Sequence, residues 1–347
     1  MVSNIQSVLV TGASGFLGSN IVDELLADGY TVRGTARSAK APRVKAAYAS
    51  FGDRFDIAVV DDLATSDLSA AFKGIDALIH VGSPLANKAT PEVLMKSAVD
   101  GTLRVLNAAL EAGITKIVVT ASIISLASPA RMHTPVTIGP SDWSDDTLEK
   151  ATTGGPLAIY GVSKTLAEKA LWHFAAAHPH LDVATVHPGF LYGKPGHGQV
   201  LDAPADGTNT IIYQLISGPA GRPAPVARGG PASTHILDAA RLHVLALKAA
   251  PSSPEKPKRI VAVGPDSRFT QLQAVKWLYE TRPELRPRLP DVNSEEMQDL
   301  DEWCRWDVSG AKEILGFEKF RDWKETVGDA IDGFLQKEKE LGVMPLQ

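Results

Sequence analysis

Cysteine is almost absent from this sequence, since Cys304 is the only one among 347 residues. A chain with one cysteine forms neither an intramolecular disulfide nor a cysteine-based metal cluster. We expect Cys304, which stands close to Trp303 and Trp306, to be an inert thiol. The nine histidines are scattered and no H-E-x-x-H motif occurs, so no metal site is expected. Plain strand-end and loop roles are expected for His187 and His197.

Long apolar runs and blocks of positive charge are missing as well. No run of about 18 apolar residues occurs, and the opening MVSNIQSVLVTG lacks a basic segment followed by a long apolar one. The net charge is −5, with 35 basic and 40 acidic side chains. These absences argue against a membrane or a nucleic acid as partner. We expect a cytoplasmic enzyme or binding protein.

What the sequence does contain is an alternation of short apolar runs with longer stretches of helical pattern. The predicted strands lie at 7–12, 30–36, 56–61, 77–82, 116–122, 182–189 and 259–264. The clearest predicted helices lie at 16–29, 91–113, 157–178 and 236–250. Strands that are apolar almost throughout have to be covered by helices on both faces. The alternation predicts an α/β fold with a Rossmann-type, doubly wound parallel sheet.

The texture of the sequence changes at about residue 190, where stretches rich in Gly and Pro begin. We predict a dinucleotide-binding Rossmann domain made of residues 1–189, to which 232–264 return. Residues 190–231 and 265–347 are predicted to form a smaller, mostly helical substrate-binding part. That part would lie over the carboxyl ends of the strands, where open α/β sheets bind their ligands.

A glycine-rich turn, TGASGFLG, follows the first predicted strand and precedes a helix. Gly12 allows a sharp turn, Gly15 lets the backbone approach a pyrophosphate, and Gly18 lets the helix pack closely on the strand. The start of the helix offers free N–H groups and the positive end of its dipole. A glycine-rich turn without a ligand is the alternative, but its position after an N-terminal strand favours a dinucleotide. The predicted cofactor contacts in this turn are Gly12, Ser14, Gly15, Phe16, Leu17 and Gly18.

Two further strand ends are placed to contact the same ligand. Asp61, Asp62 and Leu63 follow the third strand, where a carboxylate can accept a hydrogen bond from an adenine amino group. We favour Asp62 over Asp61 for that contact, and a solvated acidic turn is the alternative. Val81 and Ser83 follow the fourth strand in VGSP, whose small residues let the backbone pass close to the adenosine.

The end of the second strand lacks the acidic residue with which NAD enzymes bind the ribose hydroxyls. It reads RGTARSAK, and no carboxylate occurs between Gly29 and Asp53. Arg37 stands there instead, and a guanidinium can bind a 2′-phosphate with two hydrogen bonds. We therefore predict NADPH as the cofactor rather than NADH, while Lys40 and Arg43 are expected to be solvated surface cations.

Three polar residues are candidates for the chemistry. Ser122 follows the fifth strand in TAS, and Tyr160 stands four residues before Lys164 in IYGVSK, one helical turn away. A Tyr-x-x-x-Lys pair by itself occurs readily by chance, so its surroundings must decide. The lysine charge, together with that of an oxidised nicotinamide, would lower the high pKa of the phenol. Such a site suits hydride delivery to a carbonyl carbon while Tyr160 gives its proton to the oxygen.

In this order and at these distances, TGASGFLG, VGSP, TAS and YGVSK resemble the extended short-chain dehydrogenase/reductases. HPGFLYG is similar to that family's segment after the sixth strand, which implies Pro188 and Leu191 as contacts of the nicotinamide. RGTARS, DWSD, SKTLAEKALW and HILDAARLHVLAL resemble the branch of dihydroflavonol 4-reductases, cinnamoyl-CoA reductases and fungal aldehyde/ketone reductases. The resemblance implies that Ser122, Tyr160 and Lys164 are catalytic, and that Lys164 also holds the nicotinamide ribose.

The sequence departs from these relatives in ways that bear on the substrate. Ala98 stands where many of them have an asparagine, which argues against an asparagine-based water relay at that point. For the substrate, the N-W-Y-C-Y-G-K signature of cinnamoyl-CoA reductases is absent. Ala127 stands near the place of an asparagine that is usual in flavonoid-specific reductases. A general reductase of hydrophobic aldehydes or ketones is therefore favoured. The candidate substrate contacts are mostly apolar: Leu85, Ile124, Ala127, Leu191, Tyr192, Tyr213 and Ile216.

Two other functions remain open on the same fold. One is a nucleotide-sugar epimerase or dehydratase, although TASI lacks the acidic residues that dehydratases place after the fifth strand. The other is a non-catalytic dinucleotide-binding regulator, a class that tends to lose the tyrosine–lysine pair. The oligomeric state is also open, because the long helices at 91–113 and 157–178 could pair in a homodimer or stay solvated.

Overall fold

The computed structural model describes residues 5–83, 91–149, 155–224, 232–251, 257–292 and 303–343. Its strands are β1 (Ser7–Thr11), β2 (Thr31–Ala36), β3 (Phe55–Val59), β4 (Ala77–His80), β5 (Lys116–Thr120), β6 (Thr137–Ile138), β7 (Asp182–Pro188), β8 (Phe190–Tyr192), β9 (Ser233–His235), β10 (Lys258–Ala262) and β11 (Arg305–Trp306). Its helices are α1 (Phe16–Ala27), α2 (Ala41–Ala47), α3 (Ser69–Phe72), α4 (Pro91–Glu111), α5 (Pro129–Met132), α6 (Gly155–Ala177), α7 (Asn209–Tyr213), α8 (Ile236–Lys248), α9 (Gln271–Thr281), α10 (Ser309–Leu315) and α11 (Trp323–Leu341).

The main sheet has the strand order β3–β2–β1–β4–β5–β7–β10, and all neighbouring strands are parallel. Their carboxyl ends therefore lie along one edge. The order reverses between β1 and β4, and ligands of doubly wound sheets bind in the crevice outside such a switch point. The predicted Rossmann-type sheet is confirmed, with strand and helix ends within a few residues of those expected.

Helices cover both faces of the sheet. Successive side chains of a strand point to opposite faces, so Val8 and Val10 of β1 join one hydrophobic cluster and Leu9 joins the other. The first cluster includes α1 and α8, and the second includes α4 and α6. None of the described helices is both long enough and apolar enough to span a bilayer.

A further hydrophobic cluster draws on the chain after β7. It combines Tyr192 and residues of α7 with Phe269, α9 and α11, so it uses both segments assigned to the smaller part. β10 pairs with β7 in the main sheet, and α8 packs on α1. The division of the chain into two parts stays a prediction that is compatible with this packing.

The sequence analysis missed two short parallel pairs, β6 with β11 and β8 with β9. Strands of two or three residues carry too little periodicity to be read from a sequence. The β6–β11 pair joins the segment after β5 to the C-terminal region, and the β8–β9 pair follows directly on β7. Both lie on the way from the main sheet to the smaller hydrophobic cluster.

Candidate active site

The glycine-rich turn connects β1 to α1 at the carboxyl edge of the sheet. Gly12 has φ +73°, a conformation that glycine adopts readily. A Cβ at residue 18 would collide with the carbonyl oxygen of Gly12, so the helix packs this closely only because Gly18 has no side chain. α1 begins at Phe16 without a side-chain cap, and Gly15 before it is exposed. Uncapped N–H groups beside exposed backbone fit a pyrophosphate.

Thr11 and His80 hold the fourth strand end against this turn. The Thr11 hydroxyl oxygen accepts hydrogen bonds from the N–H groups of Val81 and Gly82, each at 3.0 Å, and the hydroxyl donates to His80 Nδ1 at 2.8 Å. Burial lowers the pKa of His80 to about 3, and the nearby Lys164 charge adds to this, so the imidazole is neutral. The sequence analysis missed this pair, because nothing in the sequence says which residue a strand-end threonine will meet.

The remaining predicted contacts of the adenosine side lie around this strand end. Val81 is partly buried and Ser83 is exposed. Leu63 packs on Gly82, where a Cβ would come within 2.7 Å of the leucine Cδ1. Ser14 is partly buried at the glycine turn, while the Leu17 side chain is buried beneath it.

The end of β2 forms an exposed turn at Arg37 and Ser38. The N–H and the hydroxyl of Ser38 both donate to Asp61 Oδ1 at 2.8 Å. These bonds, with a smaller contribution from the Arg37 charge, hold the pKa of Asp61 below its ordinary value. Asp62 accepts a hydrogen bond from the Ala64 N–H at 2.8 Å. Asp61 thus fixes the turn that carries Arg37, a role that the sequence did not suggest.

The other arginines near this turn are engaged elsewhere. The Arg33 guanidinium donates to the Lys73 carbonyl oxygen at 2.7 Å and lies 3.5 Å from the Asp56 carboxylate. Arg43 pairs with Asp202 at 2.7 Å. Of the three arginines, the exposed Arg37 is the best placed to bind a phosphate beside the turn.

Ser122, Tyr160 and Lys164 meet at the carboxyl end of β5. The strand ends at Thr120, two residues earlier than predicted, because Ser122 begins a short 3-10 turn. The Ser122 side chain lies beside the Tyr160 phenol, close enough to favour its ionised form. Lys164 lies one turn further along α6, and its ammonium donates to the Thr120 carbonyl oxygen at 2.9 Å.

Glycine at residue 161 lets the serine turn approach α6. A Cβ there would lie 3.1 Å from Ile124 Cγ1, which is closer than ordinary side-chain contact. Ile124 is buried in the same hydrophobic cluster in which Tyr160 packs. The apolar wall beside the phenol is therefore built by the residues that follow Ser122.

Burial shifts the pKa values of both titratable residues at this site. It raises the pKa of the Tyr160 phenol, and the neighbouring Ser122 side chain offsets only part of that effect. The expected lowering by Lys164 is therefore not found in the chain itself, where burial dominates. Burial lowers the pKa of Lys164 to about 8, although the Glu168 carboxylate acts in the opposite direction.

Thr120 is hydrogen-bonded to a second buried histidine, His243. Its hydroxyl is hydrogen-bonded to His243 Nε2 at 2.8 Å, and His243 Nδ1 faces the Ala239 carbonyl oxygen at 2.7 Å. Nδ1 therefore carries the proton and Nε2 accepts from the threonine. Burial lowers the pKa of His243 to about 4, so this arrangement is uncharged at neutral pH. It fixes the strand end whose carbonyl oxygen binds Lys164.

The segment after β7 begins at the same edge of the sheet as the site, because β7 pairs in parallel with β5. Pro188 is the last residue of β7, and a Cβ at Gly189 would collide with the Ala232 carbonyl oxygen. Leu191 is partly buried, and its carbonyl oxygen accepts a hydrogen bond from the Thr208 hydroxyl at 2.5 Å. The assignment of Pro188 and Leu191 to the nicotinamide stays a prediction.

Several of the predicted substrate contacts are buried or hydrogen-bonded to other residues in the structure. Ala127 and Ile216 have no exposed surface, because each is packed inside a hydrophobic cluster. Tyr192 is also buried, and Tyr213 donates its hydroxyl to Glu338 Oε1 at 2.9 Å. For Ala127, Ile216, Tyr192 and Tyr213 a direct contact would require this packing or bonding to change. Leu85 lies outside the described residues.

Cys304 is fully buried, and burial raises the pKa of its thiol to about 11, which suits an inert role. Within the described ranges, no group of three or more His, Cys, Asp or Glu side chains is arranged to hold a metal ion.

The sequence matches the profile of the NAD dependent epimerase/dehydratase family over residues 8–264. Cinnamoyl-CoA reductase 1 of Oryza sativa subsp. japonica is 34% identical over 289 residues, which are 82% of this chain and 77% of that protein. Aldehyde reductase 2 of Sporidiobolus salmonicolor is 34% identical over 197 residues, which are 54% of this chain. The match spans only 57% of that reductase's length.

The structure is similar to that of the yeast methylglyoxal/isovaleraldehyde reductase Gre2 complexed with NADPH. The two share 25% sequence identity and superpose with a TM-score of 0.83 over 96% of this chain and 99% of the yeast chain. This likeness and those in sequence agree with the reductase branch that the motifs indicated.

Proposed function

The chain belongs to the NAD dependent epimerase/dehydratase family, and within it we propose that the protein is an NADPH-dependent carbonyl reductase. The observation that carries the proposal is the meeting of Ser122, Tyr160 and Lys164 beside a dinucleotide-binding turn. The relatives named aldehyde reductase and cinnamoyl-CoA reductase support it. So does the likeness to a reductase that was solved with NADPH.

The roles of the three residues follow from their contacts. NADPH, when bound, supplies a hydride to the carbonyl carbon of the substrate. Ser122 donates a hydrogen bond to the carbonyl oxygen and holds it beside Tyr160, whose phenol lies next to the serine side chain. Tyr160 gives its proton to that oxygen, which completes the alcohol.

The direction of the pKa shifts suits the reduction. A phenol whose pKa is raised keeps its proton at neutral pH, which a proton donor requires. Lys164, with a pKa of about 8, is mostly charged at neutral pH and stabilises the phenolate that remains after the proton has left. Because the ammonium is anchored to Thr120, it is held in place before the reaction.

NADPH is proposed over NADH because of the turn at the end of β2. Arg37 is exposed there, and Asp61 binds the adjacent Ser38 and so fixes the direction of the turn. A guanidinium in that place binds a 2′-phosphate as a bidentate donor. Asp62 is proposed to accept from the adenine amino group.

The substrate is proposed to be a hydrophobic aldehyde or ketone. Ile124 stands on the wall beside Tyr160, and the cluster behind it includes Val263 and Trp306. A sugar diphosphate would need cationic partners, and this apolar wall supplies none. We propose substrates that carry an aromatic ring or a neighbouring ester or carbonyl group.

A panel of carbonyl compounds, followed by loss of NADPH absorbance, tests the function. We expect turnover of hydrophobic aldehydes and ketones and little turnover of charged sugar nucleotides. Each compound is assayed with NADPH and with NADH, and the protein is analysed after purification for tightly bound dinucleotide. Faster turnover of sugar nucleotides than of aryl ketones, or a dinucleotide that stays bound through purification, would favour an epimerase instead.

A further inference from the structure

A buried carboxylate lies directly behind the proposed catalytic residues. Glu168 is on α6, one turn beyond Lys164 and two turns beyond Tyr160, and is 4% exposed. Its Oε1 lies 2.8 Å from both His187 Nε2 and Arg259 Nε, which donate to it. These donors come from β7 and β10, so the carboxylate joins α6 to two strands of the main sheet.

The other oxygen of Glu168 reaches the turn that carries Ser122. Glu168 Oε2 lies 2.5 Å from the Ser125 hydroxyl, which donates to it. The Ser125 N–H donates in turn to the Ser122 carbonyl oxygen at 3.0 Å, and its own carbonyl oxygen accepts from the Ser144 N–H at 2.9 Å. The carboxylate is thus one hydrogen bond away from the backbone of the serine turn.

Arg259 extends the same network around the turn. Its Nη1 donates to the carbonyl oxygens of Pro140 and Asp142 at 2.5 and 2.8 Å, and its guanidinium stacks on the Trp143 ring at 3.8 Å. Glu168 therefore reaches the segment after β5 by two routes, one through Ser125 and one through Arg259. Because Glu168, Ser125 and Arg259 are themselves buried, the bonds that join them are shielded from competition by water.

Glu168 also faces the catalytic lysine. Both side chains line a small polar cavity of about 20 Å³ with His80 and Thr120. Among the described residues, the titratable groups around Lys164 are Tyr160 and Glu168 on its own helix and His80 on β4, and His80 is neutral. Those around Glu168 are His187 on β7 and Arg259 on β10.

We propose that Glu168 is a positioning residue, whose carboxylate fixes the Ser122 turn against α6 and sets the charge environment of Lys164. The proposal rests on the function proposed above and adds a role to a residue that touches neither substrate nor cofactor. Glu168 acts on Ser122 through its hydrogen bond with Ser125. It acts on Lys164 through the electrostatic effect of its negative charge.

The charge of Glu168 supports the second part of this role. Burial raises the pKa of its carboxyl group, but His187 and Arg259 outweigh burial and hold the pKa well below its ordinary value. Glu168 is therefore an anion throughout the neutral range. That anion favours the charged form of Lys164 and counteracts the burial that lowers the lysine pKa to about 8.

Two variants separate the two effects, and a third is the matched control. Glu168→Gln keeps the shape of the side chain and removes its charge. Ser125→Ala keeps that charge and removes the hydroxyl that links Glu168 to the serine turn and that also lies 2.7 Å from the Ser122 carbonyl oxygen. Asp182→Asn also neutralises a buried carboxylate, which pairs with Lys116 and Lys258 at the amino ends of the same strands. This substitution should destabilise the main sheet at its amino edge, which is opposite to the carboxyl edge that carries the site.

The measurements are the pH profile of kcat and the hydrogen exchange of the amides at 122–127. Glu168→Gln is expected to lower kcat by about 10- to 100-fold, because the serine turn is less well placed. It should also move the alkaline limb of the profile, where Lys164 loses its proton, to lower pH by about one unit. Ser125→Ala should lower kcat without moving that limb. Both should speed exchange at 122–127, whereas Asp182→Asn should change neither readout.

A Glu168→Gln enzyme with the wild-type alkaline limb and wild-type exchange at 122–127 would overturn the proposal. If that variant does not fold, Ser125→Ala decides, and wild-type exchange and kcat in it would overturn the positioning role. A wild-type protein that reduces no carbonyl would contradict the proposed function instead. The exchange measurement would still decide whether Glu168 positions the turn.

Discussion

Replacing Tyr160 with phenylalanine is expected to lower kcat for carbonyl reduction by about 10²- to 10⁴-fold, the usual contribution of a general acid. The variant loses the hydroxyl that lies beside Ser122 and that donates the proton, while the ring keeps its place beside Ile124. The dissociation constant of NADPH should hardly change, since the phenol oxygen contributes little to cofactor binding. Steady-state kinetics and a fluorescence titration with NADPH measure the two quantities separately.

Two further variants are compared with Tyr160→Phe, one at an exposed tyrosine and one at Lys164. Tyr279→Phe removes a hydroxyl from an exposed tyrosine on α9 and should leave kcat unchanged. Lys164→Ala should weaken both turnover and NADPH binding, because the lysine is expected to serve both. Near-wild-type turnover in Tyr160→Phe would show that another group donates the proton.

Replacing Arg37 with alanine is expected to raise the KM for NADPH by about 10- to 150-fold and to leave that for NADH nearly unchanged. One charge-assisted hydrogen-bonding contact contributes roughly 1.5–3 kcal/mol, which corresponds to this range. The loss is selective because only NADPH carries the 2′-phosphate that the guanidinium would bind. The ratio of kcat/KM for the two cofactors, measured in both proteins, gives the effect directly.

Arg43→Ala is the matched control for this change. Arg43 is also exposed near the end of β2, but its guanidinium pairs with Asp202. Removing it should leave the NADPH to NADH ratio as in the wild type. A wild-type enzyme that prefers NADH, or an Arg37→Ala enzyme with an unchanged ratio, would contradict the phosphate role of Arg37.

The positions of the main strands along the chain and the turn after β1 could be predicted because they depend on local sequence. Apolar runs, the spacing of Gly12, Gly15 and Gly18, and the one-turn spacing of Tyr160 and Lys164 are all visible within short windows. The position of Ser122 was also predictable, although the strand before it ends two residues early. The serine leaves the strand because it begins a 3-10 turn.

The polar partners behind the site could not be predicted, because they come from distant parts of the chain. Arg259 is 91 residues from Glu168, and His243 is 123 residues from Thr120. The rise of the Tyr160 pKa in the chain itself could not be predicted for the same reason, and its lowering beside a bound oxidised nicotinamide stays a prediction. Burial of the phenol depends on the packing of several segments, whereas the lysine four residues away is visible in the sequence.

Asp61 was predicted to contact the cofactor, but in the structure it supports a neighbouring turn. The sequence marks it as an acid at the end of β3, which suggests contact with the cofactor. In the structure its carboxylate binds Ser38, and it supports the turn that presents Arg37. Only the pairing of β2 with β3 brings the two strand ends together.

The transfer of hydride from NADPH to a carbonyl carbon is the central claim, and isotope transfer tests it most directly. NADPH carrying deuterium on one face of nicotinamide C4 is incubated with a hydrophobic ketone, and the alcohol is analysed by mass spectrometry and NMR. We predict one deuterium per NADPH oxidised, on the former carbonyl carbon, from one of the two labelled faces only. An alcohol without deuterium from either face, or no alcohol at all, would contradict the account.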